Sequence, residues 1–377
     1  MKTFRVGIIG FGFIGKVHAY GYRNLPFFYD PLPLKAEITH VVTSRPETAE
    51  KARQVLGAQV AATEYRAVTE NPEIDIVHIC TPNSEHKDAL VSAMRHQKHI
   101  FCDKPLVNTS DEADEIEAAL PEYRGVAQMT FHNRFYPAML HARRLVDQGV
   151  IGQVLQFRGS YLHSGSADPQ APLRWKLTAA AGGGVIADIA SHVLDCLDWL
   201  VGPFKSVQAA THIAFPERPL PGDPTRRGKV DAEDCVLIMA ELAAGGVGLV
   251  EASKIATGTE DELHLEIYGT RGALRFNLMD AHHLEYYDAT TPYPPAGSRG
   301  WTRIDTGQRY EAPATSFPSP KASIGWLRGH LACLANFLYA VAENRPAEPG
   351  LEQGIRIQRL MEAVRRSAKE CSRVLVE

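Results

Sequence analysis

The chain has 377 residues, 45% of them hydrophobic and 22% charged, with a formal net charge of −4. This is the composition of an ordinary globular protein long enough for two domains, and it excludes a disordered or predominantly membrane-embedded chain. So small a charge of acidic sign gives no electrostatic reason to expect nucleic acid or an anionic membrane as partner, which leaves a small molecule.

The first predicted strand, Phe4–Ile9, runs into Gly10-x-Gly12-x-x-Gly15, and a helix follows without a breaker. Gly10 can take backbone angles closed to other residues, Gly12 lets a diphosphate approach the main chain, and Gly15 lets helix and strand pack closely. The N–H groups of Gly12, Phe13, Ile14 and Gly15 then face the anion at the helix start. Strand–turn–helix is the context in which this glycine spacing means dinucleotide binding. Further strands are predicted at Ile38–Thr43, Ile74–Cys80, His99–Cys102 and Val126–Met129, alternating with helices at Pro46–Leu56, Glu85–Arg95 and Ser110–Leu120, the last with Ser110 as N-cap. Such alternation implies right-handed crossovers and a parallel sheet covered on both faces, with ligands beyond the carboxyl ends of its strands.

That rule directs attention to three strand ends. After the second strand, Thr43-Ser44-Arg45 has no carboxylate for an NAD ribose, and Ser44 and Arg45 can accept the 2′-phosphate of NADP, so the cofactor is NAD or NADP. Thr81-Pro82-Asn83, with His86 just beyond, turns polar atoms toward the next edge. Asp103-Lys104-Pro105 ends the following strand; the proline keeps Lys104 extended, either as a cation beside the nicotinamide or as a surface lysine.

Near residue 130 the pattern changes, dividing the chain into 1–130 and 131–377. Beyond a helix after Pro137, strands predominate: Val154–His163, Val207–Phe215, Cys235–Leu242, Val247–Ile255, Leu263–Tyr268, Ala273–Asn277 and Leu284–Tyr287. Gly245-Gly246 and Gly269-Thr270-Arg271-Gly272 read as hairpin turns. The expected product is a large, mostly antiparallel sheet with one face open to a partner subunit. Phe215–Asp231 and Thr291–Pro320 read as loops, and the chain ends in helices at Ile324–Glu343 and Leu351–Ser372. The cysteines are scattered, without zinc-ligand spacing. The start of the chain enters a strand directly and lacks a cleavage signal, so a cytoplasmic protein is expected.

Within this half, Gly182-Gly183-Gly184 precedes a helical stretch in which Val185, Ile189, Val193, Leu197 and Leu200 share a face. Asp188 and His192 stand one turn apart. A carboxylate there can orient an imidazole for general-base work, although such spacing also suits a plain helix-surface contact. Asp195 and Asp198 read as solvent or capping residues. Asp188, His192 and His163 do not make a persuasive metal set, so no metal is expected.

Taken in order, the glycine turn with His18, Thr81-Pro82-Asn83-x-x-His86, Asp103-Lys104-Pro105, and Gly182-Gly183-Gly184 with Asp188-x-x-x-His192 resemble the glucose–fructose oxidoreductase / inositol dehydrogenase / MocA family over essentially the whole chain. The resemblance implies an α/β protein: an N-terminal Rossmann domain followed by an α/β domain built on a large open-faced sheet, assembled as a homodimer or homotetramer through that sheet. It implies Lys104, Asp188 and His192 as catalytic residues, with Asp103 standing where the family usually has Glu. Asn133, Arg134, Arg174 and Trp175 correspond to substrate-lining segments. The implied activity is hydride transfer between nicotinamide and a sugar, sugar derivative or polyol. An alternative within the family is redox-neutral glycoside cleavage, for which Tyr161 or His163 can serve as a further acid/base; a dinucleotide-sensing regulator is a third reading. Arg226-Arg227-Gly228-Lys229 is either a contact for an acidic sugar or a solvated basic loop.

Overall fold

The computed structural model describes residues 3–292, 299–307 and 310–376. They form two compact units, one of Met1–His132, Glu311–Ser319 and Trp326–Gln358, the other of Asn133–Tyr310, Pro320–Gly325 and Arg359–Glu377.

The first unit is a parallel sheet of β1 (Thr3–Ile9), β2 (Lys35–Val42), β3 (Val60–Ala62), β4 (Ile76–Ile79), β5 (His99–Cys102) and β6 (Ala127–Met129) in the spatial order 3-2-1-4-5-6. Helices α1 (Phe13–Phe28), α2 (Pro46–Leu56), α3 (Arg66–Thr69), α4 (His86–Arg95) and α5 (Ser110–Ala119) supply the crossovers. Central strand residues Val6, Ile8, Ile76, Val77, Ile79 and Ile100 are wholly buried, as expected of strands covered on both faces. Strand β3 is too short to show a period in sequence. The cap of α5 is Thr109 and not Ser110: its hydroxyl accepts from the Glu112 N–H while the Glu112 carboxylate accepts from the Thr109 N–H. This reciprocal box satisfies two helix-end donors together, which Ser110 lacks the spacing to do.

In the second unit, α6 (Pro137–Asp147) and α7 (Ser191–Val201) accompany a sheet assembled from β7 (Val154–Leu162), β8 (Phe204–His212), β11 (Cys235–Leu242), β12 (Val247–Ser253), β13 (Glu262–Gly269), β14 (Gly272–Asn277), β15 (His283–Asp288), β16 (Thr302–Asp305) and β17 (Val374–Leu375). Its order is 16-15-14-13-7-12-11-8-17, and β7–β12 is its parallel pair among the described residues. Two expected loops need correction. Phe215–Asp231 contains a two-stranded hairpin of β9 (Glu217–Leu220) and β10 (Asp223–Lys229). A ribbon with two edges tolerates Pro219 and Gly228, which would disrupt a central strand. The segment Thr291–Pro320 adds β16 to the sheet edge, and part of it lies outside the described residues.

Burial alternates along β11 and β12. Val236, Ile238 and Val250 are buried, whereas Leu237, Met239, Val247 and Leu249 are about half exposed. On the buried face, Gly159 of β7 has no Cβ to collide with Val193 and Leu197, and α7 lies close against the sheet there.

Candidate active site

The parallel register brings the carboxyl ends of β1, β4, β5 and β6 to one edge, since Ile9 pairs with Ile79, Ile79 with Cys102, and Cys102 with Met129. Gly10 has φ +91°, and a Cβ there would lie 2.5 Å from the Cys80 carbonyl oxygen; the tight turn needs glycine for both reasons. Gly15 meets the Gly10 carbonyl, whereas a Cβ on Gly12 would meet nothing within 4 Å. The space over Gly12 is therefore left to a ligand. Helix α1 has no side-chain cap and no acid in its first turn, and Phe13 stands exposed at its start. A helix start without a side-chain cap, open space over Gly12 and a first turn free of acids fit the diphosphate of a dinucleotide.

Around this turn the polar residues divide their work. Thr81 Oγ1 is buried with no hydrogen-bond partner among the described residues, an orphaned group at the expected cofactor edge. His86 is fully buried and reaches the Thr81 carbonyl through Nε2 (3.0 Å) and the Pro105 carbonyl through Nδ1 (3.0 Å). It therefore ties the Thr81-Pro82-Asn83 turn to the Lys104-Pro105 turn. Asp103 Oδ1 accepts from its neighbour's N–H (Lys104, 2.9 Å) and from Thr130 Oγ1 (2.7 Å), which shapes the turn that carries Lys104. Asn83 is buried, while Ser44 and Arg45 are exposed beyond β2. His18 lies beneath the glycine turn, its Nδ1 3.1 Å from Nδ1 of His78 and 3.2 Å from Cys80 Sγ. Desolvation by burial lowers the His18 pKa to about 4, opposed in part by Asp103. Sequence alone gave no sign that Trp326 and His330 belong here. Trp326 lies 5.6 Å from Phe13 and 4.2 Å from His330, which stacks on His132 at 3.7 Å between ring centroids.

In the second unit the Gly182–Gly184 run is filled by the protein itself. Gly184, at φ +104°, makes room for the Glu233 carboxylate, which accepts from the Ile186 N–H. Gly183 abuts the Lys176 backbone. The predicted helix then begins as a π-turn, Ile186–Ala190, before α7 proper, a wide turn that often accompanies functional residues. Asp188 sits in it with both carboxylate oxygens engaged by lysines: Oδ1 with Lys176 Nζ at 2.8 Å and Oδ2 with Lys254 Nζ at 3.2 Å. Lys176 comes from a short turn 12 residues upstream and Lys254 from the end of β12, so the helical spacing to His192 could not disclose them.

His192 is buried at the start of α7, and its ring meets that of Tyr161 edge-on at 5.9 Å. The Tyr161 hydroxyl donates to Asp261 Oδ1 at 2.6 Å, and His163 Nε2 lies 3.0 Å from the same oxygen. Burial, and then the Asp261 charge, push the Tyr161 phenol well above its ordinary range. Asn133 is buried near this hydroxyl. His163, Asp188, Lys176 and Lys254, together with Arg174 and Arg218, line a cleft of about 160 Å³. Trp175 is more than a third exposed, with the Lys176 ammonium 5.8 Å from its ring centre.

Other polar residues are employed in the core. Asp195 is not at the solvent: it is 1% exposed and takes a two-pronged ion pair from Arg134 at 2.6 and 2.5 Å. Asp198 is likewise buried. Helix α7 is enclosed on nearly every side, so its polar positions do not mark a wet face. Among the described residues no group of three or more His, Cys, Asp or Glu side chains is disposed to hold a metal. Nor is any described helix long and apolar enough to cross a membrane.

Residues 4–131 match the family model described as oxidoreductase family, NAD-binding Rossmann fold, and residues 143–376 match its C-terminal alpha/beta domain. Levoglucosan dehydrogenase of Pseudarthrobacter phenanthrenivorans is 33% identical over 98% of this chain and 97% of its own. Inositol 2-dehydrogenase of Rhizobium meliloti is 26% identical over 72% and 75% of the two chains. A solved levoglucosan dehydrogenase in complex with NADH superposes with a TM-score of 0.94 at 33% identity, covering 100% of both chains. An oxidoreductase domain protein of Kribbella flavida gives 0.93 at 30% identity over 100% of both. With both parts of the family pattern present and the glycine turn shaped for an anion, this chain belongs to the glucose–fructose oxidoreductase / inositol dehydrogenase / MocA family of oxidoreductases, and its first unit is the family's NAD-binding Rossmann fold.

Proposed function

We propose that the protein is an NAD(P)-dependent dehydrogenase that oxidises a hydroxyl carbon of a sugar, sugar derivative or polyol. The supporting observation is full-length similarity to levoglucosan dehydrogenase in a chain that has Lys104 at the cofactor edge and His192 beside an organised Tyr161–Asp261–His163 group. The nicotinamide, when bound, supplies the hydride acceptor. His192 takes the hydroxyl proton on a ring nitrogen, and Lys104 stabilises the developing alkoxide. Asp188, fixed by Lys176 and Lys254, stands one helical turn before His192 and holds the two ammonium groups in place beside the cleft. Tyr161 holds the imidazole ring by its edge and is itself held by Asp261.

Redox-neutral glycoside cleavage gains no support from the dehydrogenases named above. Of the two residues that could serve as its further acid/base, Tyr161 carries a proton that burial and Asp261 hold firmly. The test is a panel of sugars and polyols followed by nicotinamide absorbance with both cofactors. Substrate-dependent accumulation of reduced nicotinamide is expected. His192→Ala and Lys104→Ala should each lower the turnover rate by about 10²–10⁴-fold, with dinucleotide affinity retained. Near-normal turnover in either variant rejects the assigned roles, and release of an aglycone without net reduction rejects the dehydrogenase.

A further inference from the structure

The cleft in the second unit is unusually cationic for a site that takes a neutral carbohydrate. Arg174, Lys176, Arg218 and Lys254 line it, and the carboxylate among the lining residues is Asp188. Lys254 is 7% exposed, and its ammonium meets Asp188 at 3.2 Å, an oxygen pair that the same carboxylate shares with Lys176. One carboxylate thus serves two lysines. Arg218 is wholly buried; its terminal nitrogens donate to the Asp168 and Ser166 carbonyls, and Nε is left without a partner among the described residues. Burying cations without matching anions is costly, and an arrangement of this kind is stabilised when a ligand brings the missing charge.

The β9–β10 hairpin extends the same field outward. Arg218 on β9 lies opposite Gly228 on β10, whose missing Cβ gives room to Leu173 and Leu220. The Leu173 N–H donates to the Pro219 carbonyl, which fixes the hairpin beside Arg174. Arg226, Arg227 and Lys229 are exposed along β10. The basic run is therefore a strand adjoining the cleft, disposed to attract an anion over several ångströms.

Resting on the dehydrogenase reading above, we propose that the substrate is a sugar acid, an aldonate or uronate, whose carboxylate is bound by Lys254 and Lys176 with Arg174 and Arg218 adding charge. A carboxylate is favoured because Lys176 and Lys254 share the single carboxylate of Asp188, which leaves the cluster with a positive charge that a substrate anion would neutralise.

Calorimetric titration of the full chain, saturated with dinucleotide, tests this without requiring turnover. The ligands are glucose, galactose and mannose, their uronates and aldonates, and glucose 6-phosphate. At least one acid should bind tenfold or more tightly than its neutral parent at low salt, and the advantage should shrink in 0.5 M salt. Lys254→Met and Lys176→Met should each reduce the advantage to under threefold. Lys176 is half exposed, so its variant tests the idea even if burial at 254 prevents folding, and unfolding midpoints report on both. The proposal is overturned if no acid outbinds its parent, or if the advantage persists in the folded lysine variants. It is also overturned if the phosphate ester alone gains. A bound acid that reduces no nicotinamide would instead reject the dehydrogenase and leave this site standing.

Discussion

At the scale of single residues, burial decides what each polar group does. His18 and His78 look like any histidines in sequence, yet both are buried beneath the glycine turn. Because the folded pKa of His18 is about 4 against an ordinary 6.5, the unfolded chain takes up the proton first as pH falls. Its contribution to stability is complete above pH 6.5 and lost as pH drops toward 4, on the order of 3 kcal/mol. Unfolding midpoints measured between pH 7 and 4.5 should therefore fall, and His18→Gln should flatten the dependence. Ser44 and Arg45, by contrast, are exposed at the end of β2. Ser44→Asp should lower the kcat/KM ratio of NADP to NAD by about tenfold or more, since a carboxylate repels the 2′-phosphate. An unchanged ratio would show that this strand end does not read the ribose.

At the scale of elements, glycines matter where another group must come close. Gly184 is the sharpest case, because its positive φ and the Glu233 carboxylate both exclude a side chain. Gly184→Ala should destabilise the protein by about 1–3 kcal/mol and lower activity by shifting the π-turn that carries Asp188. Thermal unfolding and turnover measured together check this; loss of activity at unchanged stability would place the glycine's role elsewhere. The glycine run was visible in sequence, whereas Glu233 as its occupant was not. The same holds for Asp195, where an acid at a polar-looking helical position proves to be buried against Arg134.

At the scale of the whole molecule, the second sheet presents Leu155, Leu237, Met239, Val247 and Leu249 to solvent. An apolar group of this kind on an exposed sheet face fits self-association, with a second copy covering it. Met239→Glu combined with Leu249→Glu should convert an oligomer to a monomer by light scattering coupled to size exclusion, without unfolding it. If mass is unchanged by the substitutions, this face is not the contact.

The sequence by itself determined most strands of the parallel sheet and the glycine turn, because their signals are local: an apolar strand, a glycine turn, a helix start, and residues that end consecutive parallel strands; that Trp326–Gln358 joins this unit had no such signal. It likewise singled out Lys104, Asp188 and His192 as candidates for the chemistry. The tertiary structure alone decided their company. Lys254 reaches Asp188 from the end of β12, Asp261 joins Tyr161 to His163, and Arg218 enters the cleft from a hairpin that reads as a loop. Such pairings depend on sheet register and long-range packing, which leave no periodic trace near either residue. The glycine turn announces that a dinucleotide binds; the charge that would select its substrate partner arises only when separated strands are brought together.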